Sequence, residues 1–278
     1  MSHEPIAAVV VQPTRIMGVL NITPDSFYGP SQLTDPQAIS DAAAQMLEDG
    51  AHILDMGGES SRPGADPVGV DEEIARIIPA MEAVRHLEAR VSIDTYRAKT
   101  AQAAIDLGAA MVNDITALRG DASMAGVIAD TEVECILMHM QGMPRDMQKA
   151  PHYEDVIDDI CAFFEERLHY ATGQGIAEDK IWLDPGFGFG KTVQHNLTMI
   201  RRLGEFRRFG RPILIGTSNK STIGTVLNTD VADRMEGTAA TVAVAISNGA
   251  DAVRVHDVKH MARVARMADA CTGRLSFE

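Results

Sequence analysis

PILIGTSNKSTIG, residues 212–224, passes from apolar to polar across a single glycine. Ile213, Leu214 and Ile215 make a short continuous apolar run, the pattern of a strand buried on both faces. Gly216 ends the run, and Thr217, Ser218, Asn219, Lys220 and Ser221 follow with nothing large and apolar among them. Such an exit has two readings: an ordinary solvated loop of a parallel sheet, or the rim of an active site. The rest of the chain bears on the choice, because the same event recurs along it.

Seven further runs share the pattern, at 16–20, 52–56, 91–93, 110–112, 135–138, 181–183 and 252–255. Segments of helical period lie between and after them, at 36–49, 71–88, 97–107, 122–130, 154–172, 194–203, 232–248 and 258–270. In the fifth of these, Ile157, Ile160, Cys161, Phe164 and Leu168 fall on one face. Pro79 interrupts the second and predicts a kink there. Gly50, Gly108 and Gly249 each stand just past a helical segment, where a C′ glycine belongs. Eight βα units predict an α/β fold of the (β/α)8 or TIM-barrel type, with a doubly wound open sheet as the alternative. No Ser/Gly linker or low-complexity stretch divides the chain. It reads as one domain over 1–278, with 1–14 as an N-terminal extension.

The totals narrow the partners. The 278 residues carry a net charge of −14, which argues against a nucleic-acid surface, so an anionic ligand needs a local basic cluster. Cys135, Cys161 and Cys271 are far apart and odd in number, and read as reduced core thiols. The first twenty residues make a poor signal peptide, and no apolar run approaches the ~20 residues of a membrane span. A cytoplasmic protein is expected.

In a barrel of this type the site lies at the C-terminal ends of the strands. Those ends read Asn21 to Phe27, Gly57 to Gly64, Asp94-Thr95, Asn113-Asp114, His139 to Gly142, Asp184 to Lys191, Ser218 to Ser221, and Arg254 to Asp257. Arg254 and His256 share one side of an extended segment. With Lys220 they make a cationic corner suited to phosphate or diphosphate. The bland alternatives are a salt bridge from Arg254 to Asp251 or Asp257, and a capping role for His256. Asp94, Asn113 and Asp184 are acceptors at three strand ends. A carboxylate takes two parallel N–H bonds from a flat guanidine-like edge, and pterins present such an edge. The alternative is that they cap the following helices. Two look-alikes drop out. GFGFGKT lacks the glycine spacing of a phosphate loop, and His256 with His260 lacks the context of a helical metal site.

The segments GVLNITPDSF, LDMGGESSRPGA, VSIDT, VNDI, LMH with MQGMP, LDPGFGFGK, SNKS and RVHDV occur in that order. In them the chain resembles the dihydropteroate synthases over nearly its whole length. The resemblance implies a transferase of folate biosynthesis that condenses 6-hydroxymethyl-7,8-dihydropterin diphosphate with 4-aminobenzoate. It further implies Mg²⁺, sensitivity to sulfonamides and a homodimer. Residue by residue, it implies a pterin pocket of Asp94, Asn113, Asp184, Lys220, Ile115, Met138 and Gly216. Asn21, Arg62, Arg254 and His256 would bind the diphosphate, Asn21 also reaching the metal. Phe27, Ser61, Pro63, Phe189 and Ser221 would flank 4-aminobenzoate, and Asp94, Lys220, Asp25 and Arg254 would act in catalysis. The chain departs from the family at Asn219, where Arg is usual, at Thr222, at Ser61, and in the first loop, SFYGPSQ. These departures touch the second substrate more than the pterin. The alternatives are a catalytically altered paralogue that binds pterin, and a pterin-dependent methyltransferase.

Overall fold

The protein is described by a computed structural model covering residues 12–23, 35–60 and 64–276. The strands are β1 (Arg15–Asn21), β2 (Ile53–Gly57), β3 (Val91–Asp94), β4 (Met111–Asp114), β5 (Glu134–Met138), β6 (Ile181–Asp184), β7 (Leu214–Ile215) and β8 (Ala252–Val255). The helices are α1 (Pro36–Glu48), α2 (Val70–Val84), α3 (Ala98–Asp106), α4 (Met124–Thr131), α5 (Val156–Gly173), α6 (Val193–Arg201), α7 (Ser221–Leu227), α8 (Met235–Ser247) and α9 (Val258–Cys271). All pairings are parallel, in the order β6-β5-β4-β3-β2-β1-β8-β7. A parallel bridge between Leu183 and Ile213 joins β6 to β7 and brings the ring nearly to closure. The eight apolar runs therefore form a (β/α)8 barrel rather than an open sheet.

The two-residue period of a strand explains how the barrel is filled. Met17, Ile53, Met111, Ile136, Trp182, Leu214 and Ala252 pack as one interior cluster. Two residues onward along the same strands stand Val19, Asp55, Asn113, Met138, Asp184, Gly216 and Arg254. The apolar layer thus seals the barrel below a polar one. On the outer faces, β-branched and aliphatic residues such as Val112, Leu137, Val253 and Val255 pack against the helices.

Several elements differ from the sequence expectation in instructive ways. β3, β4 and β6 extend past their apolar runs to take in Asp94, Asn113 with Asp114, and Asp184. α2 continues through Pro79 and ends at Val84, followed by a 3-10 turn Arg85–Leu87 and a left-handed Glu88. The last long helix but one begins at Met235 rather than 232. α7 falls between the expected helical segments, since STIGTVL carries Gly224 and four β-branched residues of low helix propensity. Burial of Thr222, Ile223 and Gly224 holds it helical. Gly50, Gly108 and Gly249 have φ of 105°, 102° and 106°, as the end of a helix requires. Thr14, the last residue of the expected extension, is buried, and its N–H and hydroxyl both donate to the Asp269 carboxylate on α9. Cys135 and Cys161 are buried thiols, whereas Cys271 is exposed, against the expectation of three core thiols. No helix among the described residues is long and apolar enough to cross a membrane.

Candidate active site

A pocket opens at the C-terminal ends of the strands. Its lining includes Asp94, Asn113, Asp184, Lys220, Arg254 and His256. Ile115, Met138 and Gly216 also line it, so all seven residues expected around a pterin converge there. Ile115 and Met138 pack with Met140, Met147 and Phe189 as an apolar wall. Phe189, expected beside the amine, is likewise on the lining. Asn21 ends β1 opposite Gly57. Ser221 is the exposed first residue of α7. These two fall outside the lining. Asp25, Phe27, Ser61, Arg62 and Pro63 lie outside the described residues.

The charges are arranged differently from two separate corners. Arg254 turns into the barrel, where its Nε donates to Asp55 Oδ2 at 2.5 Å and its Nη2 to Asp94 Oδ2 at 2.8 Å. Neither Asp251 nor Asp257 pairs with it: Asp251 accepts from Arg207, and Asp257 pairs with His260. Asn113 Nδ2 donates to the same Asp55 oxygen at 3.1 Å. Asp55 is fully buried, and it was missed because it sits inside the apolar run of β2. That position was itself the available signal, since a carboxylate inside a buried strand must have a partner. Asp94 does not cap α3, whose first amide is taken instead by Asp121 at 2.9 Å.

Burial pushes the Asp94 carboxyl upward, with the Arg254 guanidinium opposing and Asp55 and Glu73 adding to the rise. Burial also pushes Asp184 up to about 6, against the Gly186 N–H it accepts at 2.7 Å and the cations of Lys220, Lys191 and Arg254. Burial disfavours the charge on Arg254, and Asp55, Asp94 and Asp184 outweigh it. Among the described residues, Asp55 Oδ1 and Asn113 Oδ1 are buried without a hydrogen-bond partner. Two orphaned acceptors among buried carboxyls, one of them on the pocket wall, call for a ligand rich in N–H donors.

Lys220 Nζ stands 4.2 Å from the centre of the Phe189 ring, a cation–π arrangement. His256 Nδ1 lies 3.0 Å from Ser218 Oγ. Asp257, not His256, caps α9. Lys191, the lysine of the phosphate-loop look-alike, points inward. Its ammonium is buried 2.9 Å from His139 Nδ1, 3.0 Å from the Gly186 carbonyl and 3.1 Å from the Phe189 carbonyl. Three acceptors match the three donors of an ammonium. Burial lowers this lysine to about 7, and we take the charged form because the neutral amine would leave one acceptor without a donor. Burial, with Lys191 and Arg119 adding, holds His139 well below its ordinary value, so its ring is neutral and accepts at Nδ1. Glycine is required in the same loop: a Cβ at Gly186 would stand 2.0 Å from the His139 carbonyl, and one at Gly190 2.2 Å from that of Gln141. The β6 loop is thereby pressed backbone to backbone on the β5 loop.

A second network lies beyond β2. Arg97 donates to Glu59 at 2.6 Å, to Glu73 at 2.9 Å and to the Val68 carbonyl at 2.7 Å, and Val68 N–H donates to Glu59 at 3.0 Å. Sequence reasoning missed Arg97 and Glu59, which no spacing connects.

Fold and pocket together define the class of pterin binding enzymes, and the chain matches that family over residues 17–256. It is 43% identical over 259 residues to the dihydropteroate synthase of Synechocystis, covering 92% of this chain and 90% of the relative. To that of Escherichia coli K12 it is 41% identical over 260 residues, covering 92% and 91%. The Yersinia pestis dihydropteroate synthase, solved with a sulfonamide drug complex, superposes with a TM-score of 0.90 at 37% identity, covering 94% of this chain and 95% of the other. The Xanthomonas albilineans enzyme, solved with 4-aminobenzoic acid, superposes with a TM-score of 0.87 at 36% identity, covering 94% of each. The chain belongs to the dihydropteroate synthase family.

Proposed function

We propose that this pocket condenses 6-hydroxymethyl-7,8-dihydropterin diphosphate with 4-aminobenzoate, releasing 7,8-dihydropteroate and diphosphate. The observation that supports it most is the set of acceptors Asp94, Asn113 and Asp184 on the lining of a pocket that also holds Lys220, Arg254 and His256, with an orphaned oxygen of Asp55 buried behind it. A carboxylate kept partly desolvated gains most from two parallel N–H donors, which the pterin edge supplies. Lys220 and His256, both on the pocket lining, would meet the leaving diphosphate. Preorganised donors at a developing charge lower a barrier by ~3 kcal/mol each. The C–O bond at the methylene breaks as the C–N bond forms, and the amine nitrogen then loses a proton. An aromatic amine attacks as the neutral form, so no strong general base is needed. The Phe189 ring and the β6 loop would shape the amine's entry. The Xanthomonas relative's 4-aminobenzoic acid and the Yersinia relative's sulfonamide complex support the second substrate and a sulfonamide-sensitive site.

Magnesium belongs to the same reading. Among the described residues no group of three His, Cys, Asp or Glu side chains gathers as a metal cage. Asn21 would hold the ion through its amide oxygen while the substrate diphosphate supplies further ligands, a sparse protein contribution that suits Mg²⁺. When bound, the ion neutralises diphosphate charge. We also read the protein as a cytoplasmic homodimer. Val226 and Leu227 of α7, Val231, and Met235 and Val244 of α8 are all exposed, which supports a self-association face there. The test of the reaction is turnover of the purified protein with both substrates and Mg²⁺, followed by diphosphate release. Release only when both substrates are present is expected; none above the blank would overturn the reading.

A further inference from the structure

The turn that carries Lys220 is held from outside the barrel. Asn219 is left-handed, with φ 56°. Both of its backbone groups are taken by the start of α8: its N–H donates to Thr238 Oγ1 at 3.2 Å, and its carbonyl accepts from Arg234 Nη1 at 2.8 Å. One turn further along α8, Thr241 Oγ1 lies 2.9 Å from Thr217 Oγ1, and the Lys220 amide donates to the Thr217 carbonyl at 3.2 Å. Arg234 arrives across α7 at Gly224, where a Cβ would stand 2.4 Å from its Nη2 and 2.6 Å from its Cζ and Nε. Its Nε is buried without a hydrogen-bond partner among the described residues. A guanidinium set in so confined a place, with one nitrogen left unsatisfied, is held there for what Nη1 reaches.

We propose that Arg234 is a positioning residue for Lys220, acting through the Asn219 carbonyl; this rests on the pterin-site reading given above. Arg234 is absent from the pocket lining, so it acts at one remove. Its hydrogen bond fixes the peptide just before Lys220 in a conformation that L-residues adopt reluctantly. From that fixed backbone the Lys220 side chain lies along Gly188, 3.2 Å from the site of a Cβ there, and sets Nζ over Phe189. Without Arg234 the turn can leave the left-handed region, and the lysine leaves the ring and the pocket with it.

The test compares wild type, Arg234→Met, Arg234→Lys, Gly224→Ala and the double variant Arg234→Met/Gly224→Ala. Pterin affinity is measured by calorimetric titration, with steady-state kcat and KM and the melting temperature alongside. In Arg234→Met the pterin Kd is expected to rise about tenfold, the loss of one charge-assisted hydrogen bond. The melting temperature should move little, because Arg234 is part-exposed. Arg234→Lys, which still offers a cationic donor to the carbonyl, should recover most of the affinity. Gly224→Ala should imitate Arg234→Met, since its methyl group displaces the guanidinium while alanine favours the helix. In the double variant it should then add nothing. A pterin Kd in Arg234→Met within about twofold of wild type, or losses that multiply in the double variant, would overturn the proposal. Absence of pterin binding and turnover in wild type itself would instead overturn the functional reading, and the positioning role with it.

Discussion

Arg254 shows why single side chains decide this pocket. It joins the buried carboxylate of Asp55 on β2 to the part-buried one of Asp94 on β3, so its removal strands both. Breaking a buried pair from one side costs about 3–5 kcal/mol. Arg254→Met is therefore expected to lose stability of that order in urea unfolding, as well as ligand binding; a loss under about 1 kcal/mol would show that the pairs are not engaged in solution. Asp184 gives a pH signature. Its folded value of about 6 stands above the ordinary 3.8. Between those values the folded chain holds a proton that the unfolded chain lacks. The group's contribution is thus fully present below about 4 and lost as pH rises through 6. Wild type should lose stability relative to Asp184→Asn across that window, and a flat difference between the two from pH 4 to 7 would refute the raised value. Asp184→Asn should also weaken pterin binding by roughly 1.5–3 kcal/mol in titration.

At the scale of elements, two loops do the positioning. The β6 loop is clasped by Lys191, whose ammonium satisfies His139 and two backbone carbonyls. Lys191→Met keeps the length of the side chain but leaves those acceptors buried and unpaired, at a cost of roughly 3 kcal/mol or more. The expected readout is a lowered urea midpoint with an unchanged slope. An unshifted midpoint would mean that the clasp is ornamental. The β7 loop is set by the left-handed Asn219, a residue type that tolerates this conformation. Asn219→Arg is expected to raise kcat/KM for 4-aminobenzoate by adding positive potential near the amine's carboxylate, at a stability cost of about 1 kcal/mol. If kcat/KM for the amine does not rise, the missing charge at 219 is not limiting.

At the scale of the molecule, the barrel is a sealed apolar layer with chemistry on its upper rim. Among the described residues the barrel interior is filled by side chains alone, the layer of Met17, Ile53, Met111, Ile136, Trp182, Leu214 and Ala252. Chelation of the ligand-free protein should therefore leave the melting temperature unchanged, whereas turnover should be lost. A large drop on chelation would show a structural ion. The exposed apolar residues of α7 and α8 predict a dimer by sedimentation. Val226→Asp with Val244→Asp should give a monomer, and a monomeric wild type would leave that face without the role assigned to it.

The sequence by itself determined the eight strands, the rim to which they deliver their polar ends, and the three acceptors Asp94, Asn113 and Asp184 that meet on that rim. Each of these depends on local period: a short apolar run followed at once by Asp94, Asn113 or Asp184 is legible along the chain. The family motifs then tied the separate rims into one site. Only the tertiary structure decided which charges meet. Arg254 and Asp55 are 199 residues apart, and no periodicity pairs them. Asp55 was hidden inside a run read as core, and α7 inside a stretch of weak helix formers that burial alone makes helical. Lys191 faces inward because two glycines let one loop press on another, a contact between backbones that carries no trace in either segment. Closure of the ring through Leu183 and Ile213 brings the β6 and β7 loops together, and so sets Lys220 over Phe189.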